Sequence, residues 1–123
     1  MSGVFINGEI LIFRKKLELN KKDFCKLLGI SIKNIKEYEE KGIPTKRGIP
    51  WYDFVALNRV VNDEWALKLM KKIVSFNDKN IFNSFLHLMD KIILIGGFGL
   101  LGDYIYTLLC AFLNKLEKLN KEK

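Results

Sequence analysis

The feature that most constrains this chain is an almost uncharged apolar segment over residues 92–113. Its 22 residues comprise 16 hydrophobic side chains, four glycines, one threonine and Asp103. A helix of that length measures about 33 Å, which is enough to cross a bilayer core of about 30 Å. Because the segment is apolar around the whole helix rather than on one face, it favours a transmembrane helix and hence membrane association.

A helical hairpin is the alternative interpretation of this segment. Each glycine disfavours a water-exposed helix by about 1 kcal/mol, so the four glycines between residues 96 and 102 would mark a turn. Asp103 would then cap a last helix. Four apolar residues of that helix follow the a and d spacing of a coiled coil, which predicts a homodimer. They are Leu109, Phe112, Leu116 and Leu119.

Length and charge restrict the number of domains and the kind of partner that this chain can have. The chain has 123 residues, which is room for one compact domain with an appendage and excludes a large multidomain enzyme. Its 21 Lys and Arg residues exceed its 14 Asp and Glu residues, and the net charge of +7 indicates phosphate-rich or anionic partners. The basic surplus belongs to residues 1–62, which hold 12 basic and 7 acidic side chains.

The sequence contains no pattern that is typical of catalysis or of cofactor binding. Cys25 and Cys110 lie far apart and lack the spacing of a disulfide framework or a zinc site. His87 is the sole histidine, and it lies on an amphipathic stretch that predicts a structural role. We therefore expect no enzymatic activity and no cofactor. The N-terminus lacks a signal peptide pattern, so we expect a cytoplasmic protein, anchored at the cytoplasmic face of the inner membrane if residues 92–113 span it.

Apolar periodicity and cap residues predict an all-α fold. An N-terminal helix-turn-helix bundle of four to five helices would precede a C-terminal hydrophobic helix or helical hairpin, with the division between residues 1–76 and 77–123. Asn20 and Ser31 are the expected N-caps of the second and third helices, and Gly29 is the expected C-cap of the second. The predicted helices cover residues 8–18, 21–28, 32–40, 50–61 and 63–76.

Two short helices around a glycine turn, the arrangement of a helix-turn-helix, are predicted from Leu17 to Glu39 in the sequence LELNKKDFCKLLGISIKNIKEYE. This segment resembles the Cro/cI-type phage repressor family, also called the XRE family, and the likeness covers residues 8–61. The family pattern has a small residue, a glycine, an Ile or Val, and an aromatic residue followed by Glu. These positions hold Cys25, Gly29, Ile35, Tyr38 and Glu39. The family usually has Ala at the position of Cys25 and often has Gln at that of Lys21.

The resemblance implies a sequence-specific DNA-binding transcriptional regulator that binds double-stranded DNA as a homodimer. Its recognition helix, residues 31–40, would lie in the major groove. The residues that would face base edges are Ile32, Lys33 and Glu37. The expected phosphate contacts come from Lys21, Ser31, Asn34 and Lys36, with further backbone contacts from Lys41, Lys46 and Arg47. The alternative function is a membrane-anchored interaction module that uses the same fold to bind a protein partner.

Overall fold

A computed structural model describes residues 9–41 and 51–121 of the chain. Within these two ranges every regular element is a helix, so the predicted all-α fold is confirmed. The helices are α1 (Glu9–Lys16), α2 (Lys21–Leu28), α3 (Ile32–Lys41), α4 (Trp51–Val61), α5 (Glu64–Val74), α6 (Lys79–Leu94), α7 (Gly97–Leu100) and α8 (Gly102–Lys121).

Side-chain caps begin α2 and α3, as predicted. Oδ1 of Asn20 accepts a hydrogen bond from the backbone N–H of Asp23 at 2.8 Å, and Oγ of Ser31 accepts one from the N–H of Asn34 at 3.1 Å. Gly29 ends α2 in the left-handed conformation, with a φ of 71°. Because glycine has no Cβ, it adopts this conformation without the steric cost that other residues meet.

Carboxylate caps begin α5 and α6 in the same way. Asp63 accepts from the N–H of Ala66 at 2.9 Å, and Asp78 accepts from the N–H of Ile81 at 2.9 Å. Each cap satisfies a backbone donor that has no partner inside its own helix. Helix α5 is therefore shorter than the predicted range 63–76, because Asp63 lies before its first turn and Val74 is its last residue.

One hydrophobic core joins the helices on both sides of residue 76. Helix α6 packs against α2, α4 and α5, and α1 packs against α3 and α4. The largest fully buried side chains come from six helices and from the residue that follows α1. They are Ile10, Leu17, Phe24, Leu27, Ile35, Phe54, Leu57, Leu69, Met70, Ile73 and Phe82. The division of the chain at residue 76 stays a prediction, and the packing across it is continuous.

The expected transmembrane helix over residues 92–113 is wrong, and the alternative hairpin describes this segment. Helix α6 ends at Leu94, Gly96 turns the chain with a φ of 79°, and the short α7 separates it from α8. Phe98 is buried in the core, which folds the segment back on the bundle. Asp103 is not the cap, because α8 begins one residue earlier, at Gly102.

Across the part of the chain that the structure describes, the helices are either too short or too polar to traverse a bilayer.

Helix α8 divides the predicted coiled-coil seam between the core and the solvent. Leu109 and Leu116 are half-buried against the core, whereas Phe112 and Leu119 are exposed. The reason is that α8 packs on α5 through the side of the helix that carries the buried Leu113. The four residues therefore do not lie on one exposed face of α8, and the prediction that they form a coiled-coil seam is wrong.

Candidate nucleic-acid interface

Helix α3 presents one buried face and one exposed face. Ile35 and Tyr38 point into the core, as predicted, and the Tyr38 ring meets Phe54 of α4 edge-on, with ring centroids 6.4 Å apart. The opposite side of α3 is exposed along its length. It carries Ile32, Lys33, Asn34, Lys36, Glu37, Glu40 and Lys41. Ile32 is 55% exposed, so an apolar side chain lies among the charged ones on this face.

A largely buried ion pair attaches α3 to α1. Nε of Arg14 donates to Oε1 of Glu39 at 2.7 Å, and the two side chains are 13% and 7% exposed. Arg14 also donates from Nη1 to the carbonyl oxygen of Leu19 at 3.1 Å, just before α2 begins. The Arg14 guanidinium therefore links α3 to the residues just before α2. These contacts fix the orientation of the exposed face of α3.

Lys21 shares the Glu39 carboxylate with Arg14. Its Nζ lies 3.6 Å from Oε2 of Glu39, and its side chain is 44% exposed. The lysine thus has a partner inside the protein and still reaches solvent at the N-terminus of α2. The sequence pattern includes both Lys21 and Glu39 but does not predict their contact. No local pattern marks Arg14, which lies 25 residues before Glu39.

Some of the other predicted contact residues already have partners inside the protein. Oγ of Ser31 accepts the capping hydrogen bond of α3, which leaves its hydroxyl hydrogen to donate. Nζ of Lys41 lies 4.0 Å from Oε1 of Glu37, an exposed pair one turn apart that contributes little to stability. Lys46 and Arg47 lie outside the described residues.

The exposed surface of α2 and α3 is basic. Helix α3 alone has three lysines and three glutamates, but Glu39 is buried against Arg14. Helix α2 adds three exposed lysines and one partly exposed acid, Asp23. Together the two helices present six exposed lysines against three carboxylates that reach solvent. The net positive charge of this surface attracts a polyanion. Its three carboxylates repel negative groups that come close to them, so the surface can favour one polyanion over another.

Lys79 is a basic residue of this surface that the sequence did not predict. It is the first residue of α6, yet its Nζ lies 2.7 Å from the position that a Cβ on Gly29 would take. The ammonium group is therefore beside the turn between α2 and α3. No local pattern could have identified it, because Lys79 and Gly29 are brought together by the packing of α6 on α2.

Cys25 is buried inside this unit, in surroundings that disfavour its thiolate. Burial raises the pKa of the Cys25 thiol, and the nearby Glu39 carboxylate raises it further. Burial also raises the pKa of Tyr38, with a smaller contribution from Glu37. Both groups stay protonated near neutral pH, since a raised pKa disfavours the thiolate and the phenolate.

Two open pockets elsewhere lack the grouping of a catalytic site. One, of about 320 Å³, lies between Trp65 and the residues that link α7 to α8, and its acid is Asp103. The other, of about 270 Å³, lies between α1 and the end of α4, beside Glu9 and Lys16. Among the described residues there is also no group of three His, Cys, Asp or Glu side chains that could hold a metal ion.

Comparisons of the chain with protein-family models, curated proteins and solved structures give no match. The exposed face of α3, its ion pair with α1 and the basic surroundings are therefore the observations from which a function can be argued.

Proposed function

We propose that this protein is a sequence-specific DNA-binding transcriptional regulator with α3 as its recognition helix. The observation that carries the proposal is the exposed face of α3, which is held by the buried Arg14–Glu39 pair and surrounded by lysines. An α-helix fits the major groove of B-DNA, and a basic surround supplies the affinity for phosphates.

Three side chains on this face would read base edges. Lys33 and Glu37 lie four residues apart and hence on the same side of α3. Lys33 would donate to guanine O6 or N7, and Glu37 would accept from cytosine N4. The exposed Ile32 would contact a thymine methyl group. The Glu37–Lys41 pair, at 4.0 Å and exposed, is weak enough for Glu37 to exchange it for a base.

The other basic and polar residues would contact the DNA backbone. Such contacts orient the protein on the duplex without reading its sequence. In this proposal Lys79 joins the phosphate contacts, since it lies beside the turn that precedes α3. The residues predicted for this role are Lys21, Ser31, Asn34, Lys36, Lys41, Lys46 and Arg47.

A protein partner is the second candidate for the same face. It is favoured by the exposed Ile32 and by the mixed charge of the exposed face of α3, which carries two glutamates, Glu37 and Glu40, beside its three lysines. A protein surface would use Ile32 as an apolar anchor and pair with charges of both signs, whereas DNA offers only negative charge outside the grooves.

The test is selection of binding sites from random duplex DNA, followed by affinity measurements on the selected site. We expect Lys33→Ala to lose about 1–3 kcal/mol of discrimination at one base position. Lys36→Ala should weaken binding to all sequences and lower the salt slope by about 1. Lys91→Ala is the matched control. It removes an exposed lysine near the C-terminal end of α6, whereas the proposed interface includes Lys79 at the N-terminal end of that helix, so this variant should bind DNA like the wild type. If selection enriches no sequence, or if the three variants bind alike, the DNA proposal is wrong and the protein partner gains support.

A further inference from the structure

Helix α8 has an exposed apolar face in addition to its buried one. Five large side chains, each between 49% and 66% exposed, form what we call the outer stripe. Leu101 immediately precedes α8, and the spacing of four, four and seven residues places the other four along one side of the helix. They are Leu101, Tyr104, Leu108, Phe112 and Leu119. The side that packs on the core lies next to this stripe and carries Leu109 and Leu113.

The outer stripe adjoins the core and is large enough for a protein interface. The Phe112 ring meets Phe85 of α6 with centroids 6.0 Å apart, so the stripe reaches the edge of the core at that point. About half of each of five large side chains in water amounts to an apolar patch on the order of 500 Å². If two copies paired through this patch, the total buried area would be about 1,000 Å², which is the lower limit for a specific interface.

We infer that the outer stripe binds the same stripe of a second copy of this chain, with the two α8 helices antiparallel about a two-fold axis. The axis passes between Leu108 and Phe112, so that Leu108 of one copy faces Phe112 of the other. A two-fold interface uses the same patch on both subunits, and this stripe is nearly symmetric about its midpoint.

The charge of Lys115 selects the antiparallel arrangement. Lys115 lies on the line of the stripe, three residues after Phe112 and four before Leu119, and it has no ion-pair partner among the described residues. A parallel pair would bring the two Lys115 side chains together at the seam. In the antiparallel pair Lys115 lies at the level of Ile105 of the other copy along the helix axis. The two ammonium groups are then about 15 Å apart along the axis, beyond the screening length of about 8 Å.

This inference rests on the proposed function only in the choice of a second copy as the partner, since two recognition helices match a two-fold DNA site. The stripe itself lies on a different helix from the candidate DNA interface. Dimerisation and DNA binding can therefore be measured separately, and either can fail alone.

The first experiment is the mass of the full chain in solution by light scattering at micromolar concentration. We expect twice the 14.3 kDa of the single chain. Leu108→Lys should give the single-chain mass, because it places two lysines near the two-fold axis. Asn114→Lys adds the same charge to an exposed position on another side of α8 and should remain dimeric. Circular dichroism checks that each variant is folded, and Leu101→Lys replaces Leu108→Lys if that variant loses helicity.

The second experiment measures the arrangement of the two helices. With a nitroxide on Lys118→Cys and both native cysteines replaced by alanine, the two labels should be more than about 24 Å apart in the antiparallel dimer, because the labelled residues are about 24 Å apart along the helix axes alone. A parallel pair would give about 10 Å, the distance between packed helices, and would overturn the antiparallel assignment.

A wild-type chain with the single-chain mass would overturn the inference, as would a dimer that Leu108→Lys leaves intact. Flotation of a monomeric chain with vesicles of equal parts phosphatidylglycerol and phosphatidylethanolamine, lost in Leu108→Lys, would assign the stripe to a lipid surface instead. A dimer that selects no DNA sequence would leave this interface standing and refute the proposed function.

Discussion

Replacing the Glu39 carboxylate with an amide should destabilise the fold far more than the same change at a neighbouring glutamate. Glu39→Gln keeps the shape and one acceptor oxygen but removes the charge that faces Arg14 at 2.7 Å. Breaking a buried ion pair costs about 3–5 kcal/mol when one charge is left without a partner. Arg14 keeps its hydrogen bond to the Leu19 carbonyl, and the amide oxygen can still accept. We therefore expect a loss of about 2 kcal/mol in the free energy of unfolding.

Glu37→Gln is the matched control for this change. It lies on the same helix, but its pair with Lys41 is exposed and 4.0 Å long. Such a pair contributes about 0.3–0.5 kcal/mol, so the control should lose no more than that. For a chain of this length, 1 kcal/mol corresponds to about 4 °C in Tm. Urea and thermal unfolding followed by circular dichroism should thus show Tm falling by about 8 °C for Glu39→Gln and by at most about 2 °C for Glu37→Gln.

A double-mutant cycle with Arg14→Met completes the test. If the two side chains stabilise the fold through each other, Arg14→Met should cost much less in the Glu39→Gln background than in the wild type. Additive losses for the two substitutions would refute the reasoning, because they would mean that no energy depends on the contact. Equal losses for Glu39→Gln and Glu37→Gln would refute it as well.

Two further outcomes follow from the packing of single residues. Gly102→Ala should cost about 1–3 kcal/mol in thermal unfolding, because its Cβ would lie 2.7 Å from two ring atoms of Trp65, whereas Gly99→Ala, with nothing within 4 Å, should be neutral or slightly stabilising. Cys25 should react with iodoacetamide more slowly than the half-buried Cys110 at pH 8, since its raised pKa lowers the thiolate fraction at that pH, and site-resolved mass spectrometry measures both rates. Equal behaviour of the two glycine variants, or of the two thiols, would contradict these accounts.

The ends of the N-terminal helices could be predicted from the sequence because their cap residues act on nearby backbone groups. Asn20, Ser31 and Gly29 act on backbone groups within a few residues, so their identity is enough to predict where α2 and α3 begin and where α2 ends. The outward face of α3 was predictable for the same reason, because the buried Ile35 and Tyr38 define the opposite side by helical periodicity.

The sequence by itself thus determined the all-α class, the caps of α2 and α3, and the faces of α3. Only the tertiary structure decided which distant groups meet and which apolar residues remain in water. Arg14 pairs with Glu39 across 25 residues, and Lys79 reaches the turn at Gly29, because packing brings their helices together. The transmembrane helix predicted over residues 92–113 is wrong for the same reason. The composition of this segment shows how apolar it is, but its burial depends on which other parts of the chain pack against it. Here the core covers one side of α8 and leaves the outer stripe in water.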